Sequence, residues 1–255
     1  MPSKAKSPAP FLRENSGTNP WVVIPVANEE ANLEQLAAAI AGLGIKGLKL
    51  CLVYDNYSTD STPDLAKNLA RKHGWITALF NPESTGAASC YLAGLKKALE
   101  EGAGCAVEMD SGFSHDPAQI PVFISKIREG YDCVFGSRMI PGGTMADLPL
   151  KRRAVSITGS LLARFALRTD IADMTSGYEA FSRKALERIA ERDFISARSR
   201  ATSRMFQTEI RFYLMDMKHI EAPITYRNSE STFSLKQVMV SLLLLAELAK
   251  ERLKT

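Results

Sequence analysis

The stretch that decides the fold is Val107-Glu108-Met109-Asp110-Ser111-Gly112-Phe113-Ser114-His115-Asp116-Pro117. It runs from an apolar strand into a carboxylate, and Asp116-Pro117 then has the form of a helix start, an N-cap acid followed by proline. In α/β proteins ligands bind at the carboxyl ends of the strands. The stretch therefore predicts that Asp110 holds a metal ion or a phosphate-bearing substrate.

Two other apolar segments end in a similar way. Residues 22–25 are followed by Asn28 and Glu29, and residues 50–53 are followed by Asp55 and Asn56. The carboxyl ends of parallel strands share one edge of a sheet, so three strands would bring acidic or amide groups to one place. This convergence predicts a binding site.

Strand and helix periodicities alternate along the first half of the chain. The alternation predicts an α/β fold with a single open, mostly parallel sheet and helices on both faces. Strands are predicted at 21–25, 48–54, 76–80, 105–109, 133–136 and 220–224. Helices are predicted at 32–41, 60–73, 86–101, 117–129, 151–167, 183–191, 205–217 and 234–253.

The organisation of the chain is predicted in three parts. These are a flexible tail over residues 1–20, one catalytic domain over 21–233 and an amphipathic C-terminal helix over 234–255. The rhythm changes after Gly136, which divides a nucleotide-binding half at about 21–136 from an acceptor half at about 137–233. The long loop over 137–150 contains Pro141-Gly142-Gly143, and long loops in compact domains are usually functional.

The bulk composition argues against several classes of protein. The formal charge of +4 sets 32 basic against 28 acidic residues and does not indicate a nucleic-acid partner. Four cysteines lie in apolar sequence without C-x-x-C spacing, which predicts buried, reduced thiols. No run reaches the roughly 18 apolar residues of a membrane span, and residues 1–20 lack the apolar core of a signal peptide. We therefore expect a cytoplasmic protein.

Seven short motifs follow one another along most of the chain. They are Ile24-Pro25-Val26-Ala27-Asn28-Glu29-Glu30, Asp55-Asn56-Tyr57-Ser58-Thr59-Asp60-Ser61-Thr62, Met109 to Pro117, Gly136-Ser137-Arg138 with Pro141-Gly142-Gly143, Asp173-Met174-Thr175-Ser176-Gly177-Tyr178, Phe206-Gln207-Thr208-Glu209 and Ala222-Pro223-Ile224. In this order they resemble the inverting glycosyltransferases of family 2, and among them the polyprenyl-phosphate (dolichol-phosphate) mannosyl- and glucosyltransferases. The resemblance implies a glycosyltransferase A fold of Rossmann-like type, a GDP- or UDP-sugar donor and a polyprenyl phosphate acceptor.

The resemblance also implies a set of nucleotide-sugar contacts. A carboxylate at a strand end can accept hydrogen bonds from a base or a ribose. Short polar residues at such positions also form turns and N-caps, and the sequence leaves both roles open. The positions implied are Pro25, Asn28, Glu29, Asp55, Asn56 and Asp110.

A divalent metal, Mg²⁺ or Mn²⁺, is assigned to Asp110 by the same resemblance, where it would act as a Lewis acid on the leaving diphosphate. The chain departs from the family here, because Gly112 replaces the second acid of the D-x-D pattern. Magnesium takes only one or two protein carboxylates, so Asp110 alone could serve. Ser114 and Glu108 are the candidates to replace the missing ligand, since strand alternation would put Glu108 on the side of Asp110. Dependence on a metal stays open.

A lipid monophosphate is already an anion at neutral pH, so its enzyme needs cations rather than a strong base. Guanidinium groups match phosphate oxygens. We predict that Asp110 and Arg138 are catalytic, and we expect His115 in a capping loop rather than as a base. A solvated helix start or a contact with anionic headgroups is the other reading of the basic run 151–153. The acceptor phosphate is expected at Ser137, Arg138, Arg152, Arg153 and Ser176.

Further departures from the family leave the donor open. Tyr57 stands where glycine is usual, and Glu179 stands where an arginine commonly follows the fifth motif. Residues 229–232 lack the lysine of a G-x-S-K pattern, and Arg227 is the candidate to replace its charge.

The last helix carries apolar residues at helical spacing between basic ends. The pattern is compatible with a helix on a membrane surface beside a lipid substrate. Packing onto the domain or a homodimer contact fits it equally well. The sequence thus predicts an inverting hexosyltransferase, with peripheral contact at the inner face of the membrane left open. A glycosyltransferase with a non-lipid acceptor and a non-catalytic nucleotide-sugar-binding homologue are the alternatives.

Overall fold

The computed structural model describes residues 19–191, 205–227 and 235–254. One sheet contains seven strands, which are β1 (Pro20–Val26), β2 (Lys49–Tyr54), β3 (Ile76–Phe80), β4 (Cys105–Glu108), β5 (Cys133–Ser137), β6 (Glu179–Ser182) and β7 (His219–Pro223). Within these described ranges the helices are α1 (Leu33–Ala41), α2 (Thr62–Lys72), α3 (Ala87–Glu100), α4 (Ile120–Arg128), α5 (Leu150–Leu167), α6 (Arg183–Glu191), α7 (Phe206–Leu214) and α8 (Leu235–Arg252).

The strands lie in the order β3-β2-β1-β4-β6-β5-β7. All neighbours are parallel except β6, which runs antiparallel to both β4 and β5. The predicted α/β fold with a mostly parallel sheet is therefore confirmed. Strand β6 was not predicted, because its four residues begin with Glu179 and show no alternation of apolar and polar side chains.

Both faces of the sheet are covered. In β1, Trp21 and Val23 pack into one apolar cluster, and Val22 and Ile24 pack into the cluster on the opposite face. A strand buried on both sides is apolar at successive positions, as β1 and β2 are. The core thus fixes the plane of the sheet and leaves its carboxyl edge for a site.

Helix α3 approaches the sheet closely at Gly94. A Cβ at this position would lie 2.3 Å from Cγ1 of Val23 and 2.9 Å from Cγ2 of Val53. Only a residue without a side chain allows this separation between helix and strands. The close packing carries Tyr91, one turn earlier in α3, towards the carboxyl edge of β4.

Several other predictions concern the chain as a whole. All four cysteines are buried and free, as expected. Among the described helices, none has the length and apolar character needed to cross a membrane. The flexible tail was predicted over residues 1–20, of which 1–18 lie outside the described residues, and Pro20 already belongs to β1. The missing lysine at 229–232 also lies outside the described residues. The division into a nucleotide-binding half and an acceptor half stays a prediction.

Candidate active site

The loops after β1 and β2 are tied together by Asn28. This residue has a left-handed backbone with φ of 56°, and its Oδ1 accepts hydrogen bonds from the backbone N–H of Thr59 at 2.8 Å and from its hydroxyl at 3.1 Å. The backbone N–H of Glu29 donates to Oγ1 of Thr62 at 2.7 Å. Asn28 therefore has the turn role that the sequence left open, and the turn fixes the backbone that carries Glu29.

A cavity of about 440 Å³ lies at the carboxyl ends of β1, β2 and β4, and we call it the strand-end cavity. Four residues of the predicted nucleotide site line it, namely Pro25, Glu29, Asp55 and Asp110. Asn28 and Asn56 are exposed and do not belong to its lining within the described chain. The structure thus brings together most, but not all, of the predicted set.

Asp55 is buried at the base of this cavity. Its Oδ1 accepts a hydrogen bond from the backbone N–H of Tyr57 at 2.9 Å, and its Oδ2 accepts one from the hydroxyl of Ser84 at 2.7 Å. The turn places the exposed ring of Tyr57 on the cavity wall instead of Asn56. The sequence had marked Tyr57 only as a departure from the family and had given it no contact.

Asp110 lies just beyond the last residue of β4, and its side chain is 42% exposed. The hydroxyl of Tyr91 donates to Oδ1 at 3.0 Å, and the hydroxyl of Ser114 donates to Oδ2 at 3.1 Å. Two hydroxyl groups hold the carboxylate in place. It is therefore a fixed anion that faces open space.

His115 accepts a hydrogen bond from the backbone of Asp110. Its Nδ1 accepts the backbone N–H of Asp110 at 3.2 Å, which requires a neutral imidazole. The ring is fully buried and stacks on Tyr178 with centroids 4.8 Å apart, and burial lowers the pKa of His115. Its ring does not line either cavity described for this site. The capping contact is made by Asp116, whose Oδ1 accepts from the N–H of Ala118.

Glu108 does not replace the acid missing at Gly112, so this expectation was wrong. Glu108 is fully buried, and in the antiparallel ladder it stands opposite Glu179 of β6. Burial and the neighbouring Glu179 raise its pKa well above the usual value, which favours the neutral acid. The alternation argument failed because β4 ends at Glu108 and the chain turns before Asp110.

Arg211 of α7 places a positive charge beside the buried acids Glu108 and Glu179. The sequence analysis did not identify this residue. Its Nη2 lies 3.0 Å from Oε1 of Glu179 and donates to the carbonyl of Ser176 at 2.9 Å, while Nη1 donates to the carbonyl of Asp173. Burial raises the pKa of Glu179 to about 7, and the charge of Arg211 limits that rise. This cation holds the backbone that carries the fifth motif.

Arg138 follows β5 and is almost wholly buried. Its Nε donates to Oδ2 of Asp173 at 2.7 Å, and its Nη2 donates to Oδ1 of Asp173 at 2.8 Å and to Oγ1 of Thr175 at 2.7 Å. Burial alone would raise the pKa of Asp173, but the hydrogen bonds and charge of Arg138 hold it at about 2. Arg138 is thus a paired cation at the site rather than an isolated one.

A second cavity of about 600 Å³ lies between α5 and α8, and we call it the helix cavity. Its polar wall contains Asp110, Arg138, Arg152 and Ser176, and the rest is mainly apolar. The hydroxyl of Ser176 is buried and has no hydrogen-bond partner in the described structure. A buried hydroxyl of this kind is usually satisfied by a ligand or water.

Two predicted acceptor residues lie outside the helix cavity. Ser137 is fully buried, and its hydroxyl accepts from the N–H of Met139 at 3.4 Å. Arg153 follows Arg152 by one residue on α5 and so points in another direction, and it is not part of the lining of either cavity. The cavity thus distinguishes Arg152 and Ser176 from Ser137 and Arg153.

The two cavities adjoin at three shared residues, which are Ala87, Tyr91 and Asp110. Asp55, Asp110 and Arg138 therefore belong to one continuous site, as the sequence predicted for these three groups. The family described as "Glycosyl transferase family 2" matches residues 21–190, which hold β1 from its second residue, β2 to β6 and the whole lining of the strand-end cavity. The chain belongs to glycosyl transferase family 2. It is a glycosyltransferase, as the sequence predicted.

Two similar proteins carry named acceptors. The undecaprenyl-phosphate mannosyltransferase of Micrococcus luteus is 33% identical over 179 residues, which are 70% of this chain and 72% of that protein. The polyprenol monophosphomannose synthase of Mycolicibacterium smegmatis is 31% identical over 217 residues, which are 82% of this chain and 77% of that protein.

Solved structures agree with the fold. The crystal structure of glucosyl-3-phosphoglycerate synthase from Mycobacterium tuberculosis in complex with Mn²⁺, UDP and glucosyl-3-phosphoglycerate has a TM-score of 0.60 and 18% sequence identity. The match covers 93% of this chain and 80% of that chain. It places the sheet and helices of this glycosyltransferase in the glycosyltransferase A fold.

Proposed function

We propose that this glycosyltransferase moves a hexose from a GDP- or UDP-sugar to a polyprenyl phosphate, with inversion at the anomeric carbon. The observation that carries the proposal is the junction of two cavities of different character at Asp110. The names of the two similar proteins favour a lipid phosphate as acceptor and mannose as the hexose.

The strand-end cavity is the proposed donor site. Asp55 presents a carboxylate that can accept hydrogen bonds from base N–H or ribose hydroxyl groups, and Tyr57 offers an exposed ring for stacking. In this arrangement the sugar and the diphosphate lie towards Asp110, where the helix cavity begins.

The residues at Asp110 fit a hydrated divalent cation such as Mg²⁺ or Mn²⁺. The carboxylate is partly exposed, and each of its oxygens has only one hydrogen-bond donor of the described chain. No group of three or more ligating side chains occurs in the described residues, and magnesium needs only one or two carboxylates. When bound, the cation would neutralise the diphosphate as it leaves.

The polar end of the helix cavity is the proposed site of the acceptor phosphate. Arg152, Arg138 and the unsatisfied hydroxyl of Ser176 line it beside Asp110. A phosphate oxygen attacks the anomeric carbon and forms a new C–O bond, while the bond to the nucleoside diphosphate breaks and its electron pair leaves with the diphosphate. The attacking oxygen is already an anion, and the neutral, buried His115 is not required as a base.

The apolar end of the helix cavity suits the hydrocarbon chain of the acceptor. Val155 and Leu162 of α5 face Val238 and Leu242 of α8 across it. On the outside, large apolar side chains of both helices are exposed to solvent, which is unusual for a monomer. They are Leu161 (55%), Phe165 (88%), Met239 (64%) and Leu243 (51%). We propose that this face rests on the membrane surface that supplies the lipid, which would make the protein peripheral at the cytoplasmic side.

A transfer assay tests the proposal. The protein is incubated with radiolabelled GDP-mannose, UDP-glucose or UDP-N-acetylglucosamine and with polyprenyl phosphate, with and without Mn²⁺. We expect label in the organic phase with one of these donors, and the product should have the anomeric configuration opposite to that of the donor. Binding of the nucleotide sugar without any transfer would instead support a non-catalytic homologue. Transfer only to a water-soluble acceptor would contradict the lipid acceptor.

A further inference from the structure

The carboxylate of Glu29, from the loop after β1, lies against Gly112. A Cβ built on Gly112 would lie 3.5 Å from Oε1 of Glu29, which is van der Waals contact. The hydroxyl of Ser111 donates to the same Oε1 at 2.9 Å, and the side chain of Asn32 donates to Oε2 at 2.9 Å. Hydrogen bonds therefore hold the carboxylate of Glu29 beside the point from which a side chain at position 112 would extend.

The carboxylates of Glu29 and Asp110 line the same cavity. Glu29, Gly112 and Asp110 all line the strand-end cavity. An aspartate at 112 would place a second negative charge against Glu29, and like charges at such a distance disfavour each other's ionisation. The glycine thus leaves Glu29 without a second negative charge beside it at position 112.

We propose that Glu29 supplies the second carboxylate of the divalent-cation site at Asp110, in place of the acid absent at Gly112. The inference rests on the proposed function and identifies a ligand of that same site. The cation would be held by Asp110 from the end of β4 and by Glu29 from the loop after β1, with water and diphosphate oxygens completing its shell.

The two replacements considered from sequence are weaker. Glu108 is buried away from the cavity and is paired in the ladder with Glu179. Ser114 lines the cavity, but its hydroxyl is neutral and already donates to Asp110 at 3.1 Å. Glu29, by contrast, carries a carboxylate that lies against Gly112 and lines the same cavity as Asp110.

Direct measurement of Mn²⁺ binding tests the proposal without reference to activity. Mn²⁺ is titrated into the purified full chain, alone and with GDP, and the free ion is followed by its electron paramagnetic resonance signal. We expect Glu29→Gln to weaken Mn²⁺ binding by about 10-fold or more, the scale of losses at metal sites. Glu30→Gln is the matched control, because the neighbouring Glu30 is exposed and lines neither cavity.

A compensating variant keeps the test decisive. Gly112→Asp in the Glu29→Gln background should recover most of the Mn²⁺ affinity, because the acid then comes from the same loop after β4 as Asp110. Unchanged binding in Glu29→Gln alongside a loss in Asp110→Asn would overturn the role of Glu29 and leave the transferase proposal standing. Failure of Gly112→Asp to restore binding to a folded Glu29→Gln protein would also overturn it. Absence of lipid-linked product from the unaltered protein would count against the proposed function alone.

Discussion

At the scale of single residues, Asp110 is central because it lines both cavities. It is a fixed, partly exposed anion held by Tyr91 and Ser114. We expect Asp110→Asn to lower the rate of transfer by at least about 100-fold, the scale of losing one electrostatic contact to the reacting groups. Steady-state transfer of labelled sugar measures it, and Asp64→Asn, which removes an exposed carboxylate at the start of α2, should leave the rate unchanged. A fully active Asp110→Asn protein would remove Asp110 from the mechanism.

Arg211 gives a second prediction at this scale, on stability. Arg211→Met should lower the free energy of unfolding by about 3–5 kcal/mol near pH 8, because it leaves Glu179 as a buried charge without a partner. Lys184→Met, which removes an exposed ion pair with Asp132, should cost less than about 1 kcal/mol. Urea denaturation of both variants provides the comparison.

The loss of stability in Arg211→Met should depend on pH in a defined direction. The pKa of Glu179 is raised to about 7 from an ordinary value of 4.5, so the folded state keeps a proton that the unfolded state loses between these values. The contribution of this group to stability is therefore present below about pH 4.5 and is lost as the pH rises through about 7. Since loss of Arg211 raises that pKa further, the cost of Arg211→Met should be larger at pH 8 than at pH 5. An equal cost at both pH values would mean that Glu179 is not the group left uncompensated.

The residues at strand ends could be predicted from the sequence. The direction of neighbouring side chains and their long-range partners could not. Asp55 and Asp110 follow apolar runs, so their place at the carboxyl edge was predictable. Glu108 was misassigned because alternation holds only while the strand continues, and β4 ends one residue before Met109. The role of Arg211 could not be predicted because its partner Glu179 lies 32 positions away and only the tertiary fold brings α7 and β6 together.

At the scale of elements, α5 and α8 form the apolar wall that distinguishes this site. The sequence predicted both helices and suggested a membrane face only for the last one. It did not show that α5 packs beside the last helix, because the contact between residues 150–167 and 235–252 depends on tertiary packing. Strand β6 was missed for a related reason. Pairing with β4 and β5 on either side makes it a strand, and its own four residues show no alternation of apolar and polar side chains.

The apolar face predicts membrane binding. Leu161→Ser with Phe165→Ser should reduce co-sedimentation with vesicles of anionic phospholipid by about 10-fold or more, since each large apolar side chain contributes about 1.5–3 kcal/mol when buried. Val122→Ser, which removes an exposed apolar side chain from α4, is the matched control and should bind like the unaltered protein. Unchanged vesicle binding would contradict the membrane face. A dimer that dissociates on the same substitutions, seen by sedimentation velocity, would identify the face as a contact between two copies.

At the scale of the whole molecule, one sheet places two different environments on either side of Asp110. The alternation of strands and helices predicted the sheet, and the motifs predicted residues of the proposed donor site. The proposed acceptor site required the structure, because it combines the ends of β4 and β5 with two helices from distant parts of the chain. The account therefore depends on whether the lipid acceptor lies in the helix cavity.

Photo-crosslinking with a polyprenyl phosphate that carries a diazirine in its hydrocarbon chain measures this directly. After irradiation and proteolysis, mass spectrometry should find the label on peptides of α5 and α8 that line the helix cavity, around Gly159 to Leu162 and Val238 to Leu242. Excess unlabelled polyprenyl phosphate should remove the label. Saturable labelling confined to another surface, such as α1, α2 or β3, would contradict the account.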